Sequence, residues 1–174
     1  MKTSKKTALS AVMAALGVAL LYIGSLVDVL DISTACIASI AVLFCLTEMG
    51  LASALGVYAV VTTLSLLILP QKMPALLFAI FFGLLPITKM LFEKLGAKTG
   101  VVISYILKLA LFNGELVLFG FLAKGLLDLP KSTALIILYI ALSNAVFVLL
   151  DILYGRLIKL YFGKIRKKIS KFLK

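Results

Sequence analysis

The sequence predicts an all-α integral membrane protein: a compact bundle of six transmembrane helices with both termini in the cytoplasm. Three observations carry that reading. Of the 174 residues, 63% are hydrophobic and 14% charged, where a soluble domain is nearer half apolar and about a quarter charged. The charges stand mostly at the ends of long apolar runs. A membrane-crossing helix takes about 20 residues, so this length accommodates six spans with short connections and no separate catalytic domain.

The elements follow in order. Lys2, Lys5 and Lys6 precede an uncharged run over 7–27 that ends at Asp28 and Asp31. That layout is also found in signal peptides, but the run is long enough to span and further spans follow, so it is read as a retained first helix. From Ile32 to Leu69 the only charge is Glu48, beside Met49 and Gly50. The stretch is too long for one crossing and divides into a hairpin of helices over 29–47 and 51–69. The PQKMP segment, 70–74, breaks the chain before a fourth helix over 75–90, in which Pro86 produces a kink near the far end or marks the exit. Residues 91–99, with Glu93, Lys94 and Lys98, read as a solvated loop. A fifth span over 100–123, a turn over 124–132 and a sixth span over 133–154 complete the single domain, followed by a basic amphipathic tail, 156–174.

Orientation follows from the excess of Lys and Arg on cytoplasmic loops. With six spans, the side shared by the termini holds three basic residues at the amino end, three at Lys89, Lys94 and Lys98, and eight from Arg156 onward, fourteen in all. The other side holds Lys72, Lys124 and Lys131, while Lys108 lies within a span. Fourteen against three places both termini in the cytoplasm of a cell-membrane protein.

Several chemistries are excluded. There is no histidine, the side chain most used for proton transfer near neutrality and for metal ligation. Cys36 and Cys45 lie nine residues apart in one apolar segment, on opposite faces of a helix, and read as core residues. The net charge of +11 is not a nucleic-acid footprint, because no soluble face carries it. A phosphate-binding loop needs Gly-x4-Gly-Lys-Ser/Thr; Gly96-Ala97-Lys98-Thr99 lacks the glycine before the lysine, and Phe92 holds the earlier glycine position. No Gly-x-Ser-x-Gly elbow is present, and no close pair of carboxylates suited to acid and base roles. The chain is not read as an enzyme, and no cofactor is expected.

The first helix carries small residues at spacings of four, Thr7, Ala11, Ala15 and Ala19. Such a stripe permits close helix approach, either within the bundle or to a partner protein, because packing drives association in lipid. With a Lys-rich amino end running into TALSAVMAALGVALLYIG, six compact spans and fewer than 200 residues, the chain resembles the substrate-binding S components of energy-coupling factor (ECF) transporters, in length and topology over nearly its whole extent. The resemblance implies a bacterial importer of a vitamin-like or other small nutrient, bound toward the outer half of the bundle. It also implies a transmembrane T subunit docked on the small-residue motif, here Ala11 and Ala15, and a cytosolic ATPase pair supplying energy. None of the vitamin-specific signatures is present, so the ligand stays open.

Independently of any family, charges inside an apolar span are costly and point to function. Lys108 and Glu115 are seven residues apart on the fifth span, on one stripe and about 10 Å apart in height, so each is expected to have another partner. Counted at about 1.5 Å per residue, Lys108 and Asn144 meet at a similar depth, and Glu115 falls in the outer third level with Tyr139, with Asn113 just below. The expectation is a substrate pocket between the fifth and sixth spans built from Lys108, Asn113, Glu115, Tyr139 and Asn144. The alternative is a buried polar network that only fixes helix packing. Asp28 and Asp31 read as solvated loop carboxylates, with an outer-gate role implied by the family resemblance.

The tail interleaves Ile158, Tyr161, Phe162, Ile165, Ile169 and Phe172 with Lys164, Lys167, Lys168, Lys171 and Lys174, a pattern suited to anionic lipid at the inner leaflet. Two other function classes fit the same composition. One is a small ion-coupled carrier in which Glu115 or Lys108 changes protonation; the other is a structural or assembly protein without a ligand.

Overall fold

The computed structural model describes residues 3–122, 132–161 and 163. Among them the chain is helical without strands, and six helices are long and apolar enough to cross a membrane. The elements are α1 (Thr3–Gly24), a 3-10 turn (Asp28–Leu30), α2 (Asp31–Met49), α3 (Leu51–Ile68), α4 (Met73–Leu77), a π-helical stretch (Phe78–Phe82), α5 (Leu85–Thr99), α6 (Val101–Leu122) and α7 (Thr133–Leu160). They divide into two compact units: Lys2–Leu127 with α1 to α6, and Asp128–Lys174 with α7.

In the first unit α2 is the packing centre, with Ala35, Ala38, Val42 and Cys45 fully buried. The α2–α3 connection is a single residue, Gly50, at φ +94°, a conformation open to glycine at little cost. Gly100 at φ +103° joins α5 to α6 in the same way. Its amide closes on the Gly96 carbonyl at 2.9 Å, and Ser104 Oγ donates to the Phe92 carbonyl at 2.6 Å. These one-residue turns force antiparallel neighbours into contact along their length.

α1 packs through Ala14, Gly17, Leu21 and Gly24, all buried. A methyl group at Gly17 would meet Val61 Cγ2 of α3 at 3.0 Å, and one at Gly24 would collide with the Thr34 side chain of α2. The stripe of Thr7, Ala11, Ala15 and Ala19 lies roughly 120° around the helix and is exposed at all four positions. Packing of α1 within this unit therefore uses a different small-residue face from the one expected.

Several boundaries differ from the sequence reading. α1 ends at Gly24, and Asp31 opens α2 instead of lying in a solvated loop; it is half-buried, with Oδ1 shielded. The side chain of Asp28 lies outside the described residues. The expected loop over 91–99 is helical, because α5 continues to the stop at Gly100. Buried Lys89 and exposed Glu93 pair at 3.1 Å one turn apart on it. Met73–Ala97 forms one candidate span, so Pro86 lies near its middle, in the first turn of α5, where its missing amide is tolerated. α7 runs past Tyr154 to Leu160, so Arg156 and Lys159 continue the helix. Of the expected tail, 162 and 164–174 lie outside the described residues, as does the turn over 123–131.

The fourth span is broken upstream of Pro86. In an α-helix the Gly83 amide would reach the Ala79 carbonyl; here it reaches Phe78 at 2.7 Å, and Tyr58 Oη of α3 donates to Ala79 at 2.8 Å. A carbonyl given up by the backbone ladder is thus satisfied by a side chain from another helix, as apolar surroundings require. Tyr58→Phe is expected to lower stability by about 1–3 kcal/mol, the usual cost of an orphaned buried polar group, measurable as earlier thermal unfolding in detergent.

Candidate functional site

α6 carries three of the expected site residues. At about 100° per residue, Ser104, Lys108, Phe112, Glu115 and Phe119 share one stripe. Its direction is fixed at both ends: Ser104 bonds α5, and the Phe81 ring of the π stretch lies 5.6 Å from that of Phe112 and 5.3 Å from that of Phe119. Lys108 and Glu115 therefore face the broken fourth span.

Lys108 is buried, with its ammonium 5.8 Å from the centre of the Tyr105 ring one turn earlier, a cation–π contact. Asn113 departs from the expected grouping. It points more than a third of a turn away from the stripe, and its Nδ2 donates to the Leu109 carbonyl of its own helix at 2.8 Å. Glu115 is half-buried, without a hydrogen bond or ion pair to another described residue. The two aromatic rings one turn below and one turn above it are those that hold Phe81.

Tyr139 and Asn144 stand on α7, in the other unit. Tyr139 is exposed, and Asn144 Nδ2 donates to the Ile140 carbonyl at 2.8 Å. Ala11 and Ala15 are on the exposed stripe of α1. Cys45 is fully buried and Cys36 half-buried, both as free thiols.

Sequence reasoning missed the α3 side of the polar region. Tyr58, Thr62 and Ser65 stand at spacings of four and three, on one face. Tyr58 Oη ends at the π stretch, within electrostatic reach of Glu115. Ser65 Oγ is buried without a hydrogen-bond partner and the residue is fully enclosed, while the Thr62 hydroxyl lies beside that of Tyr58. A polar i, i+4, i+7 stripe in an otherwise apolar helix was the available signal. Among the described residues no group of three or more Cys, Asp or Glu side chains is arranged to hold a metal ion.

Fold and site together are those of an all-helical chain with six helices long and apolar enough to cross a membrane, as in a multi-pass membrane protein, and with polar groups inside one of its helical units. No family model, characterised protein or solved structure matches the chain.

Proposed function

We propose that this chain is the substrate-capturing S component of an ECF-type importer for a small nutrient, oriented with both termini in the cytoplasm of the cell membrane. The observation that carries the reading is the division of labour on α1. Ala14, Gly17, Leu21 and Gly24 are buried in the bundle, while Thr7, Ala11, Ala15 and Ala19 remain uncovered. A second small-residue face outside the buried packing face of α1 is the surface that a transmembrane T subunit requires for close approach. The fourteen-to-three bias of basic residues supports the orientation.

In this reading Lys108 and Glu115, on the stripe of α6 that faces the broken fourth span, contact the nutrient, and Asp31 and Asp28 belong to its outer gate. A cytosolic ATPase pair supplies the energy, and the basic tail rests on anionic lipid. The test is purification in mild detergent followed by mass spectrometry of bound small molecules and copurifying proteins. A stoichiometric nutrient with a T subunit and two ATPases is the expected result. A ligand-free protein with neither partner refutes the importer reading and favours a structural role.

One observation favours a second reading. Glu115 is a carboxylate inside a span without a partner among the described residues, as an ion-coupled carrier needs. Uptake into cells that collapses with a protonophore and persists without cytosolic ATPases selects that reading.

A further inference from the structure

We propose that the corner formed by the π-helical stretch, α3 and α6 binds an organic ammonium ion bearing a hydrogen-bonding substituent, with Glu115 as its counter-charge and Phe81, Phe112, Phe119 and Tyr58 as its aromatic surround. The inference deepens the nutrient-binding half of the proposed function and is independent of the partner-docking half.

The argument begins with Glu115. An ionised carboxylate in an apolar span is costly unless something compensates it. Lys108, on the same stripe, stands about 10 Å away along the axis and lies against the Tyr105 ring. Glu115 itself has no hydrogen bond or ion pair to another described residue. Among the described residues no group compensates its charge, and the proposal gives that place to a cation from outside the chain.

The surroundings select the kind of cation. Phe112 and Phe119 flank Glu115 on its own helix face, and both rings pack on Phe81. Tyr58 reaches the same π stretch from α3, 6.2 Å from the Phe78 ring. Aromatic faces attract a positive charge most strongly once it is desolvated, which favours an ion with little hydration to lose, whereas a small metal ion needs several oxygen or nitrogen ligands. One carboxylate among rings suits a bulky, weakly hydrated ammonium group.

Ser65 specifies the rest of the ligand. It follows Tyr58 along the same face of α3, about 10 Å further along the axis, and its hydroxyl is buried and unsatisfied. Buried hydroxyls without partners are rare in native structures. A hydroxyl or amide on the ligand, a few bonds from its cationic nitrogen, satisfies it while the nitrogen stays at Glu115.

The experiment is thermal unfolding of the purified full chain in detergent, followed by calorimetric titration. The probes are tetramethylammonium, choline and benzyltrimethylammonium, each beside its uncharged carbon isostere. At least one ammonium is expected to stabilise the protein while its isostere does not, with choline preferred over tetramethylammonium. Glu115→Gln is expected to weaken binding at least about tenfold, or ~1.4 kcal/mol, and Ser65→Ala to remove the preference for choline alone. Glu115→Gln takes a charge out of an apolar span, and an unchanged size-exclusion profile verifies its fold. No stabilisation by any ammonium, equal stabilisation by the isosteres, or undiminished binding to Glu115→Gln overturns the proposal. A copurified anionic or neutral nutrient with a T subunit would leave the importer reading intact and sink this inference; cation binding without partners would do the reverse.

Discussion

Replacement of Gly83 by alanine is expected to produce a large loss of stability from a single methyl group. A Cβ there would stand 2.7 Å from Tyr58 Cδ2, 2.8 Å from the Phe78 carbonyl oxygen and 2.9 Å from Phe78 Cε1. Two of these atoms belong to rings, and Phe78 is fully enclosed. The third is backbone already engaged by the Gly83 amide, so none yields cheaply. Overpacking of this kind costs about 1–3 kcal/mol, and displacing Tyr58 would add the loss of its bond to Ala79. Unfolding of Gly83→Ala in detergent should therefore begin well below that of the wild type and below that of Tyr58→Phe. A Gly83→Ala protein as stable as wild type would mean that the π stretch and Tyr58 are not locked together.

The second large effect concerns assembly and leaves the fold alone. Ala11 and Ala15 are exposed and Gly17 is buried against Val61, so leucine at positions 11 and 15 meets no neighbour within the α1–α6 unit. Thermal stability and ammonium binding should stay at wild-type values. Close helix approach to a T subunit depends on small side chains, and Ala11→Leu with Ala15→Leu should reduce the copurified partner at least about tenfold, or ~1.4 kcal/mol. The matching control is Gly17→Leu, on the buried face, which should damage the fold itself. If the double variant holds its partner as firmly as wild type, the exposed stripe is a lipid-facing surface and the docking assignment is lost.

The two experiments separate the halves of α1 and of the bundle. Small residues at 14, 17 and 24, on the face that also buries Leu21, let α2 and α3 come close, while those at 7, 11, 15 and 19 lie outside that contact. Both sets were legible as small residues on an Ala-rich helix. Which set is spent internally depends on where Val61 and Thr34 lie, and no pattern within α1 records that.

The same division runs through the rest of the protein. Span number and type were readable because about 20 apolar residues are needed to cross a bilayer, and the sequence places charge and glycine between such runs. The hairpin break at Gly50 was readable for the same reason. The region after Met90 misled, since Glu93, Lys94 and Lys98 resemble loop composition, yet an amphipathic end lets α5 continue as a helix until Gly100 supplies the left-handed turn. Lys108 and Glu115 stood out in the sequence because charge inside an apolar run is conspicuous.

By itself the sequence determined that this chain forms apolar helices of membrane-crossing length, with charge mostly toward their ends and two charges conspicuous inside α6, because hydropathy and helix length are local properties. Only the tertiary structure decided what those charges face. The π-helical break, the capture of the Ala79 carbonyl by Tyr58 and the grouping of Phe81 with Phe112 and Phe119 around the face that carries Glu115 arise from packing between distant segments. Side chains that are silent in a linear reading acquire their chemistry there because a neighbouring helix excludes lipid and supplies their partners.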